Sequence, residues 1–400
     1  MYYLQNNVEI VRGAQYYCIY DLNNKKLYHL DQEYVNYIEK LTKFNKESIS
    51  QVPQEAIDYL LSSGLIVSSK NQLSKARDKY SFQGNMSLVW IEITQNCNLK
   101  CKHCYEGASR ERKTKEMSLE MFKYAIDRIL NLGVKRIQLV GGEPLSHHSI
   151  AEMIRYVSGK FDFIEIFSNL TLLTDSLLDL IKENNISLAS SIYSADPTIH
   201  DSVTQTMGSY QLTKNNLDKV SAMGIKIRTA SVEMKGVPHF KISNKSIVHR
   251  SDLPRLTGNA TLALYSDDML LRKLITKKTF RKPIDPEVFY KNKTIHNCFG
   301  EKLYIDCDLN VFPCAMERRL EYGNLKVCSD NELLNNEIRF LNKDKVTVCR
   351  DCEYRYACYD CRPDSNNSPV YSKPWNCTYD PYSGEWEKPE YFIKRIHNIM

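Results

Sequence analysis

The sequence predicts an α/β protein built from three successive parts. Strand-like and helix-like segments alternate from Met86 to about Asn259, which is the pattern of a parallel α/β barrel. The residues before this region combine short β-like runs with two amphipathic helices. Most of the thirteen cysteines lie at or beyond Cys298, in a stretch with few periodic segments. Four hundred residues are also too many for one ordinary domain.

Residues 1–68 are predicted to form a small sheet with two helices. The β-like runs are Val8–Val11, Tyr16–Tyr20 and Lys26–Leu30, the helices lie near Glu33–Leu41 and Gln54–Leu61, and Gly64-Leu-Ile-Val67 closes the region as a short strand. This order resembles a winged-helix module of the kind that docks leader peptides of ribosomally made natural products. A capping extension of the barrel is the alternative interpretation. Residues 69–85 are polar and charged, and we predict a flexible linker there.

Three cysteines in C-x3-C-x2-C spacing follow the strand-like run Leu88–Thr94. Cys97, Cys101 and Cys104 can hold three irons of a [4Fe–4S] cluster and leave the fourth iron open to a small molecule. A tetrahedral zinc site needs a fourth ligand and usually has paired cysteines. His103 lies inside the motif, too close to its neighbours to be a comfortable fourth ligand.

The spacing resembles the signature of radical S-adenosylmethionine (radical SAM) enzymes, and the following segments agree with it. Ser118 is a suitable N-cap for a helix, and Lys135–Val140 reads as the next strand. That strand runs into the tetrapeptide Gly141-Gly142-Glu143-Pro144. In the family this turn meets the amino group of SAM, where glycines permit close approach and a carboxylate suits an ammonium. The resemblance implies a partial (β/α)6-type radical SAM barrel over residues 86–285.

The resemblance also implies SAM-contacting residues on three later strands. Ser168 and Asn169 end the third strand, and Ser191 ends the fourth, where the family often binds the methionine carboxylate. Many relatives carry arginine where this chain has Thr204, and Arg228 is our candidate for the missing cation. Ordinary polarity at strand ends is the alternative for these positions.

A second set of cysteines occupies the C-terminal third. Cys349-x2-Cys352-x5-Cys358-x2-Cys361 and Cys377 follow Cys298, Cys307 and Cys314. The pattern resembles the SPASM domain, which houses two auxiliary [4Fe–4S] clusters, and we assign it residues 286–400. The family has three residues in the last gap and a glycine in the loop that is Asp308-Leu-Asn310 here.

The SPASM resemblance implies two ligand sets. One auxiliary cluster would use Cys349, Cys352, Cys358 and Cys377. The other would use Cys298, Cys314 and Cys361, with its fourth iron open, bound by substrate, or bound by Cys307. Cys307 alternates with Ile305 along a strand, which favours packing over ligation. Cys18 and Cys328 have no partner at ligand spacing and are expected to be structural.

Composition narrows the location and the partners. The net charge of +6 is modest for this length and comes without a basic block, so no nucleic-acid partner is expected. No apolar run reaches the ~20 residues of a membrane span, and the start of the chain lacks the features of a signal peptide. We therefore expect a cytoplasmic protein without a membrane partner, in which clustered cysteines bind metal.

Together these resemblances imply a radical SAM/SPASM peptide maturase with three [4Fe–4S] clusters. Such an enzyme reductively cleaves SAM and uses the 5′-deoxyadenosyl radical to modify a precursor peptide that carries a leader. A thioether or carbon–carbon cross-link is the expected product, and a flavodoxin or ferredoxin is the expected electron donor. A sulfatase-maturing, formylglycine-generating enzyme is the first alternative, although Tyr2–Val67 argues against it. A non-catalytic zinc-binding peptide scaffold is the alternative from another class.

Overall fold

The computed structural model describes residues 2–43, 46–77, 85–107, 115–240, 242, 247–365 and 368–399. It contains a predominantly parallel sheet flanked by helices, and irregular, cysteine-rich backbone follows this sheet. The predicted α/β class with a parallel sheet is therefore confirmed. Among the described residues, no helix has the length and apolar character needed to cross a membrane.

The N-terminal part forms a three-stranded antiparallel sheet packed on helices. Its core contains Ile38 and Leu41 of the first helix together with Leu60 of the third, because these positions share one helix face. Strands β2, β3 and β4 pair in that order, and β1 pairs with β5. The elements are β1 (Tyr3–Leu4), β2 (Val8–Arg12), β3 (Tyr17–Asp21), β4 (Lys26–Leu30), α1 (Gln32–Lys43), α2 (Lys46–Ile49), α3 (Gln54–Ser62) and β5 (Ile66–Val67).

This N-terminal sheet packs against the cysteine-rich C-terminal part. The hydroxyl of Tyr20 donates to the carbonyl of Glu353 at 2.9 Å, and the amide of Ala14 donates to the carbonyl of Asp351 at 2.7 Å. The ring of His29 lies 2.9 Å from the carboxylate of Glu353, whose side chain is fully buried. The module is thus held by buried polar contacts and a shared apolar cluster.

The first half of the predicted linker is hydrogen-bonded to the N-terminal module. The side chains of Asn6 and Asn7 donate to the carbonyls of Ser74 and Lys75 at 2.7 and 3.0 Å. We therefore correct the expectation of a flexible connection for residues 69–77, because polar side chains of the β1–β2 turn fix its backbone. Residues 78–84 of the predicted linker lie outside the described part of the chain.

Six parallel strands form the barrel, with helices on the outside. Val89, Ile91 and Ile93 of the first strand lie in the core shared with the helices, so the alternating residues Trp90 and Glu92 face inward. The helix that follows begins as predicted at Ser118, whose hydroxyl accepts from the amide of Met121 at 3.2 Å. The elements are β6 (Leu88–Thr94), α4 (Leu119–Asn131), β7 (Arg136–Gly141), α5 (Ile150–Val157), β8 (Phe163–Phe167), α6 (Asp175–Glu183), β9 (Ser187–Ser191), α7 (Pro197–Thr204), α8 (Ser209–Ala222), β10 (Ile227–Val232), β11 (Val248–Asp252), α9 (Asp267–Lys273) and α10 (Pro286–Thr294).

The barrel sheet continues into the C-terminal part. Strand β12 pairs in parallel with β6, and β13 and β14 extend the sheet antiparallel, in the order β11-β10-β9-β8-β7-β6-β12-β13-β14. The boundary proposed at residues 285/286 therefore does not separate two independent sheets. The remaining elements are β12 (Lys302–Ile305), β13 (Asn310–Phe312), β14 (Gly323–Asn324), α11 (Asp330–Leu334), β15 (Tyr379–Asp380), β16 (Glu385–Trp386) and α12 (Pro389–Ile399). Short 3-10 helices cover Lys70–Gln72, Pro144–Ser146, Leu262–Leu264, Lys277–Arg281, Glu337–Phe340, Lys343–Lys345, Cys349–Asp351 and Arg362–Ser365.

Candidate functional site

The loop after β6 brings three thiols together at the carboxyl end of the barrel strands. Burial, with a smaller contribution from the neighbouring thiol of Cys104, raises the pKa of Cys97 and of Cys101 to about 12. Without a bound cation these side chains are therefore neutral thiols, and a metal makes the thiolates stable there. The ring of His103 packs edge-on against Tyr193, with the centroids 5.0 Å apart.

The turn Gly141–Pro144 lies against the backbone that leads into this loop. The amide of Gly142 donates to the carbonyl of Thr94 at 2.8 Å, and the amide of Glu143 donates to the carbonyl of Asn96 at 2.7 Å. A Cβ atom on Gly141 would overlap the carbonyl of Thr94, and one on Gly142 would overlap that of Asn96. The two glycines are thus required by the contact between the ends of β6 and β7, whereas sequence reasoning attributed them to a ligand.

The carboxylate of Glu143 is fully buried and engaged within the protein. It accepts from the hydroxyl of Ser168 at 2.7 Å, from the amide of Asn169 at 2.7 Å and from the amide of Leu145 at 3.0 Å. Burial raises the pKa of Glu143, and these three hydrogen bonds oppose the rise. Its oxygens thus tie the turn to the end of β8, and its expected contact with the SAM amino group stays a prediction. Pro144 is buried and begins the next 3-10 helix.

Ser168 and Asn169 are brought close to the cysteine loop. The hydroxyl of Ser168 bridges Glu143 and the amide of Leu170, and the side-chain amide of Asn169 donates to Asn98 Oδ1 at 2.9 Å. Because Asn98 follows Cys97 directly, the end of β8 helps to orient the loop. Both residues thus have contacts within the protein, and their contact with SAM stays a prediction.

Ser191 is connected to the cysteine loop through Tyr193. The hydroxyl of Tyr193 interacts with the side chains of Ser191 and Cys101. The sequence analysis assigned no role to Tyr193. The feature of the sequence that could have indicated a role is its position, because Tyr193 is an aromatic residue two positions after Ser191.

Arg228 is paired with a carboxylate inside the barrel. Its guanidinium donates to the two oxygens of Glu165 at 2.9 and 2.6 Å, and Glu165 also accepts from the side chain of Gln138. Arg228, our candidate for the arginine that the family carries at the position of Thr204, is therefore paired with the carboxylate of Glu165 on β8. Thr204, which stands at that family position, accepts the amide of Lys100 on its carbonyl at 3.0 Å and thereby holds the cysteine loop.

Four C-terminal cysteines line one small cavity. Cys349, Cys352, Cys358 and Cys377 all contribute to its wall, as the SPASM resemblance implies. Burial raises the pKa of each of these thiols. Val348, directly before the first of them, has φ +70° and ψ −46°, a strained conformation for a β-branched residue. Such strain persists only where surrounding contacts enforce it, and it is typical of binding sites.

Three further cysteines form the second C-terminal group. Burial raises the pKa of Cys314 to about 11 and of Cys361 to about 12; the thiol of Cys298 adds to the first rise and that of Cys314 to the second. Cys307 lies apart from them, since its thiol donates to the carbonyl of Glu92 at 3.3 Å. The geometry therefore favours packing over ligation for Cys307.

The spacing of the thiols bears on the choice of metal. A tetrahedral zinc site with Zn–S bonds of about 2.3 Å holds its sulfurs about 3.8 Å apart. Within the part of the chain that the structure describes, no three cysteine sulfurs all lie within 4.8 Å of one another; the group that meets this limit is Glu116, His147 and His148. His147 uses both ring nitrogens, towards the carbonyl of Met117 and the amide of Ser149. No described cysteine group therefore has the close spacing of a bound zinc site.

A cavity of about 1310 Å³ lies between the barrel mouth and the C-terminal part. Tyr105 and Gly258 contribute to one side, and Ala315 and Met316, next to Cys314, contribute to the other. The cavity therefore reaches from the first cysteine loop to the second C-terminal group.

A buried charged network forms part of this cavity wall, and sequence reasoning missed it. The hydroxyl of Tyr304 donates to the carboxylate of Glu92 and lies 3.0 Å from Glu106, while Arg318 lies 3.1 Å from Glu92 and 4.0 Å from the Tyr304 ring centroid. The feature of the sequence that could have indicated this network is Glu92, a charged residue within the apolar run of β6.

Comparison with known proteins agrees with this geometry. Residues 91–244 match the family described as the Radical SAM superfamily. The subtilosin biosynthesis protein AlbA of Bacillus subtilis is 34% identical over 142 residues, which are 35% of this chain and 32% of that protein. The sporulation killing factor maturation protein SkfB of the same organism is 28% identical over 141 residues, 35% of this chain and 34% of that protein. The chain thus spans about a third of the length of these relatives.

Two solved structures share the fold over most of the chain. SuiB of Streptococcus suis, bound to its precursor peptide SuiA, aligns with a TM-score of 0.54 and 13% identity over 93% of this chain and 98% of that one. The structure of anSMEcpe with bound AdoMet aligns with a TM-score of 0.54 and 17% identity over 79% of this chain and 96% of that one.

Residues 91–244 thus match a radical SAM domain. Proteins of this superfamily use a [4Fe–4S] cluster and SAM. The three thiols after β6 are the residues with the right chemistry to hold that cluster.

Proposed function

We propose that this protein is a radical SAM peptide maturase with two auxiliary clusters. The observation that carries the proposal is the cavity of about 1310 Å³ between the Cys97–Cys104 loop and the group of Cys298, Cys314 and Cys361. A substrate bound in it lies between a radical source and an electron acceptor. When bound, the first cluster and SAM supply a 5′-deoxyadenosyl radical that removes a hydrogen atom from the substrate.

The residues of the chain orient and enclose these groups. The hydrogen bonds of Glu143, Ser168 and Asn169 fix three strand ends around the cysteine loop, which preserves the geometry of the radical source. Cys349, Cys352, Cys358 and Cys377 would hold one auxiliary cluster, and Cys298, Cys314 and Cys361 the other. A cross-link removes two electrons and two protons from the substrate. One of each leaves as the abstracted hydrogen atom; a cluster held by Cys298, Cys314 and Cys361 would accept the second electron, and the second proton would leave to solvent.

The names of the relatives support a peptide substrate. One takes part in subtilosin biosynthesis, another matures the sporulation killing factor, and SuiB binds the precursor SuiA. We infer a ribosomal precursor peptide with a leader as the substrate and a thioether or carbon–carbon cross-link as the product. A flavodoxin or ferredoxin is the proposed electron donor, and the cytoplasm is the proposed location. We propose no nucleic-acid or membrane partner.

The N-terminal module offers a strand edge for the leader. Among the described residues, no further strand pairs with the outer edge of β4. Tyr28 of β4 lies near Tyr59 of α3, and the rings of Tyr34 and Tyr59 meet edge-on with centroids 5.7 Å apart. Tyr59 is 40% exposed, so this edge combines unpaired backbone with accessible aromatic surface. Strand addition with a side-chain pocket is a common mode of peptide recognition.

Replacement of Tyr59 with serine tests leader binding. We expect the rate of modification of a full-length precursor at low concentration to fall about tenfold, because loss of one aromatic anchor costs about 1.4 kcal/mol of binding free energy. Abortive SAM cleavage without peptide should be unchanged, since Tyr59 does not line the cavity. The measurement is the modified fraction by mass spectrometry, using a precursor peptide that carries its leader.

Tyr382→Ser is the matched control, because this tyrosine is 50% exposed and lies in the C-terminal part. Deletion of residues 1–68 is a poorer test, since it would uncover the buried faces that contact Tyr20. A core peptide without its leader should be an equally poor substrate for the wild-type protein and for the Tyr59→Ser variant. Full activity of Tyr59→Ser on the precursor would contradict leader binding at this edge and favour the sulfatase-maturing alternative.

A further inference from the structure

Lys343 carries a buried ammonium group next to the four-cysteine cavity. The residue begins the 3-10 helix Lys343–Lys345 and is 4% exposed. Its Nζ lies 3.5 Å from Asp360 Oδ1 and makes no well-directed hydrogen bond in the described part of the chain. Its other polar neighbours are the thiols of Cys349 and Cys358. A buried ammonium with unused donors requires an anionic partner.

The nearby carboxylate does not satisfy this requirement alone. Asp360 is also held by Arg362, whose Nε donates to Oδ1 at 3.0 Å, and His296 Nε2 lies 3.5 Å from Oδ2. Arg362 is fully buried and further donates to the carbonyls of Val370 and Ser372 at 2.8 and 3.0 Å. Two permanent cations thus share one carboxylate, which leaves an excess of positive charge in the protein interior.

Lys343 differs from the other basic side chains at this cavity. Lys373 donates to the carbonyl of Tyr379 at 2.5 Å. Arg355 donates to Asp344 Oδ1 and to the carbonyl of Arg12, each at 2.7 Å. Of the three cations in the described cavity wall, Lys343 is the one that makes no well-directed hydrogen bond to a protein oxygen, and its contact with Asp360 Oδ1 is an ion pair at 3.5 Å.

We propose that Lys343 is an electrostatic partner of the cluster held by Cys349, Cys352, Cys358 and Cys377, and that it raises the reduction potential of that cluster. Reduction adds one negative charge to the cluster, and a fixed cation close to it stabilises the reduced form more than the oxidised form. The inference rests on the proposed function, because it assumes that these thiols hold an iron–sulfur cluster.

The test measures reduction potentials in protein that lacks the first cluster. In the Cys97/Cys101/Cys104→Ala background, only the auxiliary clusters contribute to a potentiometric titration followed by electron paramagnetic resonance. Lys343→Met removes the charge and keeps the length of the side chain, and we expect one auxiliary potential to shift downward. Lys343→Arg should stay close to the wild-type value. Lys345→Met is the matched control, because this exposed lysine of the same 3-10 helix is screened by solvent.

Three results would contradict the role of Lys343, and they differ in what they imply for the proposed function. Unchanged potentials in Lys343→Met would overturn the inference and leave the proposed function intact. Loss of auxiliary iron in both Lys343→Met and Lys343→Gln, but not in Lys343→Arg, would also overturn it, because Lys343 would then be a structural counter-ion of Asp360. Absence of auxiliary iron before any lysine is changed would contradict the proposed function itself, and the inference would fall with it.

Discussion

Replacing Cys97, Cys101 and Cys104 with alanine is expected to abolish the formation of 5′-deoxyadenosine from SAM. These thiols are the candidate ligands of the cluster that delivers the electron, and no other cysteine of the described structure lies in the loop after β6. The fold should largely survive, since the three side chains are not part of the apolar core. The measurement is chromatographic quantification of 5′-deoxyadenosine after anaerobic reconstitution with a reductant.

Cys328→Ala provides the control for this experiment. Cys328 is half-buried, and its thiol donates to the carbonyl of Tyr322 at 3.6 Å, away from the three cysteine groups. This variant should retain both cluster content and SAM cleavage. If the triple variant still produces 5′-deoxyadenosine, the assignment of the first cluster is wrong.

Gly142→Ala is expected to lower the rate of SAM cleavage about a hundredfold, because a shift of the cysteine loop by about 1 Å misplaces the reacting groups. The new Cβ would overlap the carbonyl of Asn96 and lie 2.7 Å from the carbonyl of Gln95. Both are backbone atoms directly before Cys97, so the strain moves the ligand loop. The free energy of unfolding should also fall, by about 3 kcal/mol. The measurements are initial rates and chemical denaturation.

Gly159→Ala is the control for Gly142→Ala. It separates the effect of steric overlap by the new Cβ atom from the effect of placing a side chain at positive φ. Gly159 has φ +70°, and a Cβ there meets nothing within 4 Å. Its replacement should cost about 1 kcal/mol of stability through backbone strain and leave SAM cleavage unchanged. Wild-type activity of Gly142→Ala would show that the β6–β7 contact does not position the cysteine loop.

The sequence predicted those features that depend on local periodicity. Val89, Ile91 and Ile93 alternate along β6, and Ser118 caps the next helix, so strand and helix boundaries follow from short-range physics. The cysteine spacing likewise predicted which thiols lie together. Side-chain partners across the fold could not be predicted in this way, because periodicity identifies the buried face of an element but not what packs against it.

Two long-range pairs illustrate this limit. Arg228 and Glu165 are 63 residues apart in the sequence, and in the sequence each is an isolated polar residue within a strand. Tyr20 and Glu353 are 333 residues apart and join the N-terminal sheet to the backbone beside Cys352. The hydrogen bonds of Glu143 with Ser168 and Asn169 were hidden for the same reason, since both partners lie on the segment after β8.

The continuity of the barrel sheet with the C-terminal part was equally hidden. Strand β12 lies about two hundred residues beyond β6 in the sequence, yet the two pair in parallel through Leu303 and Val89. Composition alone assigned β12 to the cysteine-rich region. The pairing explains why one cavity reaches from the first cysteine loop to the C-terminal cysteines.

An anaerobic determination of iron, acid-labile sulfide and zinc tests the central claim most directly, namely that three groups of thiols hold three [4Fe–4S] clusters. Wild-type protein should contain about twelve irons and about twelve sulfides per chain, and the Cys97/Cys101/Cys104→Ala variant about eight of each. Zinc should be absent from both. About four irons in wild type together with stoichiometric zinc would contradict the claim and make the C-terminal part a zinc domain.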